Sequence, residues 1–140
     1  MKKALLILVC LGLGLVPATA LARDTVPKVA TIMDGATAIA ASQDYSGTTT
    51  TFYVSGVEGF FAIQASATGN GTAKVEYYTS IDGVTFAEPA GATDIIAALT
   101  SASGTVTVQF FPDYCERLRI VVTETGGVST ITPTIRMIYR

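Results

Sequence analysis

Residues 59–79 read Gly-Phe-Phe-Ala-Ile-Gln-Ala-Ser-Ala-Thr-Gly-Asn-Gly-Thr-Ala-Lys-Val-Glu-Tyr-Tyr-Thr. Their alternation decides the fold class. Phe61, Ile63 and Ala65 fall on one side, and Phe60, Ala62, Gln64 and Ser66 on the other. Beyond Gly69-Asn70-Gly71 the same rhythm returns. Ala73, Val75 and Tyr77 point one way, Lys74, Glu76 and Tyr78 the other. A period of two belongs to strands with one dry and one wet face. Glycine and asparagine accept positive φ, so residues 69–71 predict a turn and a hairpin over 59–79.

The rhythm continues toward the C-terminus. Ser80-Ile81-Asp82-Gly83 reads as a second turn, and residues 84–86 as a short return strand. Residues 88–103 are the longest irregular stretch, with a strand favoured over a helix at 95–99. Val106, Val108 and Phe110 alternate with Thr107, Gln109 and Phe111. Leu118, Ile120 and Val122 then alternate with Arg117, Arg119 and Val121. Gly126-Gly127 predicts a tight turn, so residues 117–124 and 128–139 read as an antiparallel terminal hairpin. Its expected core is Leu118, Ile120, Val122, Ile131, Ile135 and Met137, with Arg119 and Arg136 on the solvent side. Pro133 donates no ladder hydrogen bond, which predicts a sheet edge or a bulge there.

Toward the N-terminus, residues 48–55 read as a strand, 36–42 as a short strand or one helical turn, and Asp34-Gly35 as a turn. About eight short strands predict an all-β, two-sheet antiparallel sandwich, jelly-roll or immunoglobulin-like. The outward positions are Thr, Lys, Glu, Gln and Arg, which a lipid-facing barrel does not carry.

Residues 1–22 read as a signal peptide that precedes this domain. Lys2 and Lys3 lead an apolar stretch of 13 residues at 4–16, and Ala20-Leu21-Ala22 is a small-x-small site, with cleavage expected after Ala22 and after Ala20 as the alternative. Val9 before Cys10 argues against a lipidated cysteine. The expected location is therefore periplasm, cell surface or extracellular space. Residues 23–46 form an N-terminal segment, either a strand of the sandwich or an arm that completes a neighbour's sheet. Residues 47–140 form the sandwich domain.

Composition narrows the chemistry. The sequence has no histidine and no tryptophan. This excludes histidine triads and His-Cys zinc sites. A net charge of −2 gives no electrostatic footprint for nucleic acid. No apolar run after the leader is long enough for a membrane-spanning helix. Asp34, Asp44, Asp82, Asp94 and Asp113 sit in turns or loops. Calcium is the one cofactor that several such loops would jointly serve. The plainer reading is that aspartate favours turns by bonding nearby amides, so no cofactor is assigned. Serines and threonines lack a histidine base, and no enzyme is expected.

Cys115 is the one cysteine beyond the leader. It reads either as a small half-buried residue or as an intermolecular thiol, with Arg117 placed to lower its pKa. Phe60, Tyr78 and Phe111 fall on the polar faces of their strands. Exposed aromatics of this kind make a ligand or partner surface.

The string Val75-Glu76-Tyr77-Tyr78-Thr79-Ser80-Ile81-Asp82-Gly83-Val84-Thr85-Phe86 resembles the Asp-Gly hairpin of galactose-binding-like jelly rolls of the discoidin type, and of small phage virion sandwich proteins. Phe111-Pro112, then Arg117-Leu118-Arg119-Ile120 and Thr123, resemble the region before the last hairpin of such domains. The resemblance covers residues 74–140 and implies a sandwich with Phe86 packed beneath the turn. The discoidin type's cysteines are absent and Phe86 stands in place of its tryptophan, so no binding residue is carried over. The function expected is a secreted, non-catalytic structural or surface assembly subunit whose partner is a further copy of itself. A carbohydrate-binding module for a surface glycan, and a virion decoration-type protein, are the alternatives.

Overall fold

The computed structural model describes residues 26–45, 50–54, 59–91, 94–113 and 115–140. The leader read over 1–22, Cys10, and the ends of the strand read over 48–55 lie outside these. Among the described residues nine strands follow in chain order: β1 (Lys28–Asp34), β2 (Asp44–Tyr45), β3 (Thr51–Tyr53), β4 (Phe61–Gly69), β5 (Ala73–Ser80), β6 (Ile96–Leu99), β7 (Val106–Phe110), β8 (Arg117–Glu124) and β9 (Ile131–Tyr139). A 3-10 turn at Ser101–Ser103 joins β6 to β7. The protein is all-β. Sheet A has the order β1-β9-β4-β7; sheet B has β8 between β5 and the collinear pair β2 and β3, with β6 beyond β5. All pairings are antiparallel.

The pairs β1·β9, β2/β3·β8, β4·β7 and β5·β6 nest one inside the next. The chain is thus one long double ribbon, with its tip between β5 and β6, wound so that successive pairs fall alternately in sheet A and sheet B, which face each other. The inward phase of each strand fills the space between. Ile63, Val75, Leu99, Leu118, Ile120, Val122, Ile131, Ile135 and Met137 have no exposed surface. At one end of the core, rings from both sheets meet. Phe61 lies 5.5 Å from Phe110 and 6.2 Å from Tyr139, and Tyr77 and Phe52 reach across to Phe110 and Tyr139 at 5.5 and 5.9 Å.

Both glycine turns are corrected by this arrangement. β4 and β5 do not form a hairpin across residues 69–71, nor do β8 and β9 across 126–127; each turn is an arch that carries the chain from one sheet to the other. The phase assigned to each strand holds, because alternation fixes which side is dry, but Glu76, expected on the wet face of β5, is only 8% exposed and is paired with Lys74. Alternation does not fix whether two dry sides lie beside or opposite each other. The last strand begins at Ile131, not residue 128.

Pro133 is also corrected. It sits in β9, between β1 and β4 and not at an edge. Ile131 and Ile39 exchange both backbone bonds, so odd-numbered residues of β9 face the β1 side. Strand β1 stops at Asp34 opposite Thr134, and the bridge resumes at Ile39 opposite Ile131. The absent N–H of Pro133 therefore points at the gap where no partner strand runs. The return expected at 84–86 is a single bridge, Thr79 to Ala87. Residues 36–42 contribute the Ile39 bridge and a turn. In the N-terminal segment, β1 pairs with β9 of its own chain, with a bulge at Ile32.

Candidate functional site

The outer face of sheet A changes character along its length. Thr31, Arg136, Gln64 and Thr107 make a polar rung across its four strands. One step toward the aromatic end the rung is Val29, Ile138, Ala62 and Gln109. Beyond it Phe60 and Arg140 exchange both backbone bonds, and the Arg140 guanidinium stands 5.2 Å from the Phe60 ring centre. Phe111 follows β7 beside Phe60. Phe60, Phe111, Arg140, Ile138, Ala62 and Gln109, with Pro27, border a groove of about 290 Å³. Phe60 is 56% exposed and Phe111 71%.

The same end of the molecule carries more apolar surface. Tyr53 ends β3, and Ile81 and Val84 lie in the turn after β5. Val26 leads into β1, and Val29 lies near its start. Among the described residues, every exposed large apolar side chain except Val128 belongs to this end.

Tyr78 does not join Phe60 and Phe111. It lies on the outer face of sheet B, opposite Arg119, and is half-buried. Burial pushes its hydroxyl above the usual pKa. Arg119 there is not a merely solvated side chain. Its guanidinium packs 3.7 Å above the Phe86 ring and donates to Thr51 Oγ1 at 3.4 Å. Phe86 thus lies on Arg119 and not beneath the Asp-Gly turn. Arg136 is exposed, as its phase implies.

Several carboxylates are engaged within the fold. Asp82 Oδ1 accepts from Val84 N at 2.9 Å, Thr85 N at 2.7 Å and Ser80 Oγ at 2.9 Å, and these donors, the backbone amides first, hold its pKa far below the ordinary range. Asp34 accepts from Ala36 N at 2.9 Å. Asp94 stands 3.7 Å from Lys74, whose closer partner is Glu76 at 2.7 Å. Among the described residues, no three acids or thiols gather where they would hold a metal ion.

Glu124 is the unexpected acid. It is 1% exposed, yet among the described residues no ion pair holds it. Four amides donate to it: Ser42 and Gly127 to Oε2 at 2.8 and 3.0 Å, Gly126 and Thr72 to Oε1 at 2.8 and 3.3 Å. The Ser42 amide leads in lowering its pKa, against the desolvation that raises it. Three separate loops are clasped by one side chain. The signal was present in the sequence: Glu124 is in phase with Leu118, Ile120 and Val122, and two glycines follow closely.

Cys115 is free, and it is buried. Burial raises its thiol pKa, and Arg117 is turned instead to Glu116, 3.7 Å away. The placement fits the reading of a small buried residue; at 5% exposure the sulfur would reach a second copy only if the surrounding chain moved.

Searches of family models, curated proteins and solved structures return no match to this chain. Among the described residues, no helix is long and apolar enough to cross a membrane.

Proposed function

We propose that this chain is an exported, non-catalytic subunit that assembles with further copies of itself, and we infer that its topology is a jelly roll. The nested pairs around a single ribbon tip, giving orders β1-β9-β4-β7 and β2/β3-β8-β5-β6, support the jelly roll over the immunoglobulin-like alternative. The non-catalytic reading is supported by Asp82 and Glu124, whose depressed pKa values come from bonds that hold loops in place.

One observation carries the assembly reading: the exposed apolar side chains gather at a single end. Scattered apolar residues on a surface need no explanation, whereas a patch marks a contact. Sedimentation velocity of the full chain, from micromolar to millimolar, tests it. Association is expected, and Phe60→Ser should weaken it. A monomer throughout would overturn it. A carbohydrate module is the second reading, favoured by Gln109 and Arg140 beside Phe60 and Phe111 in the groove. Under it, a glycan array gives a signal that Phe111→Ala removes, and the chain stays monomeric.

A further inference from the structure

We propose that two copies of this chain join β7 to β7, antiparallel, about a twofold axis at Val108. This rests on the assembly reading above and supplies its contact.

The two sheets present four edges, and three are blunted. The β1 edge carries Lys28, Asp34 and the bulge at Ile32. The edge beside β8 is broken into β2 and β3, of two and three residues. β6 has four residues and an irregular register against β5. Charges, bulges and brevity are how edges avoid pairing. β7 has none of these. It keeps a regular register along β4 and contains neither charge nor proline. It lies within residues 95–112, 18 residues without a charge, the longest such run after the leader.

Hydrogen-bond parity shows what β7 offers. Phe60 bonds to Arg140 through both backbone groups, so even-numbered residues of β4 face β9 and odd-numbered ones face β7. Phe61, Ile63 and Ala65 stand opposite Phe110, Val108 and Val106. Those three residues of β7 turn their N–H and C=O toward β4. Thr107 and Gln109 turn theirs the other way, where no described strand pairs.

A second copy is the occupant that the chemistry fits. The strand itself carries no charge, so its residues meet their copies with no like-charge contact, and Asp94, which borders the adjoining hollow, stands 3.7 Å from Lys74. An axis at Val108 gives the fullest overlap of the five residues. It sets Thr107 opposite the partner's Gln109 in hydrogen-bonded pairs, on the outer face. Val108 then meets the partner's Val108, and Val106 the partner's Phe110, on the core side. Polar faces polar and apolar faces apolar at every position. The alternative, β1 of a second copy, keeps register for only four residues before its bulge. The flank also holds a hollow of about 270 Å³, lined in part by Ile95, Val108, Gln109 and Phe111. Gln109 and Phe111 border the outer-face groove as well, so a strand added at β7 covers the rim that both hollows share.

Thr107→Pro tests the contact. It removes an N–H that faces the open side and leaves the β4 ladder intact, a placement proline tolerates. Two intermolecular bonds are lost per dimer, which should raise the dimer dissociation constant by roughly tenfold to a hundredfold. Far-ultraviolet circular dichroism should stay unchanged. A cross-link gives the register independently of that variant. Thr107→Cys mixed with Gln109→Cys should form a disulfide under mild oxidation, because the opposed Cα atoms stand about 5.5 Å apart. Neither variant alone should do so. Association that Thr107→Pro leaves unaltered overturns the β7 contact and spares the assembly reading. If Thr107→Pro fails to fold, absence of the mixed cross-link overturns the contact. A wild-type chain that is monomeric at millimolar concentration overturns both.

Discussion

Glu124 and Ile120 lie in the same phase of the same strand and hold the protein by different physics. Ile120 is buried among apolar side chains, so Ile120→Ala should cost about 2–5 kcal/mol through lost burial and the cavity left behind. Its neighbour Arg119, packed on Phe86, should cost about 1 kcal/mol as Arg119→Ala, the range of a partly exposed cation over a ring. Urea denaturation of both variants checks the order. Glu124 acts through charge. Its folded pKa is depressed below the ordinary 4.5, so its stabilisation is present above that value and is lost as pH falls through the folded pKa. The urea midpoint of the wild type should fall on acidification below about 4.5. Glu124→Gln should start lower at neutral pH and lose less on acidification. Asp82, depressed in the same direction, accounts for slope that remains. A wild-type slope that Glu124→Gln leaves unchanged would remove Glu124 from this role. Cys115 should react with a thiol reagent only at the rate of opening, and at full rate in urea. Rapid labelling of the native chain would contradict its burial.

At the scale of strands, alternation was a sound guide to faces and a poor guide to neighbours. The inward residues of β4, β5, β8 and β9 could be read from the sequence, because a two-residue period has one answer per strand. Their partners could not, because Gly69-Asn70-Gly71 and Gly126-Gly127 reverse the chain equally well as hairpins or as arches. Sheet pairing here joins residues far apart, as Lys28 with Tyr139, and no local pattern reports that. The candidate surface was half legible for the same reason. Phe60 and Phe111 could be placed outward, but only the sheet order brings them together and sends Tyr78 to the other face. Gly69 gives a test of the first arch. Its φ is +100°, and a Cβ there would stand 2.7 Å from the Thr130 carbonyl oxygen. Gly69→Ala should therefore destabilise by more than about 1 kcal/mol, measured by urea midpoint. A neutral result would mean that the chain does not cross between the sheets at this point.

For the whole molecule, a nested ribbon closes its longest loops last, since β1 reaches β9 only after nearly the whole chain has been made. Folding in milliseconds to seconds is expected, as for other domains dominated by distant pairings. While it folds, and afterwards, β7 presents an unblunted edge next to the exposed aromatic end. Amide hydrogen exchange followed residue by residue at low and high protein concentration tests the whole account at once. At every concentration the amides of Val106, Val108 and Phe110 should be protected by β4. Those of Thr107 and Gln109 should exchange fast when dilute and become protected as concentration rises. Protection of Thr107 and Gln109 that does not vary with concentration, or fast exchange at Val108, would contradict a sandwich whose open β7 edge joins its copies.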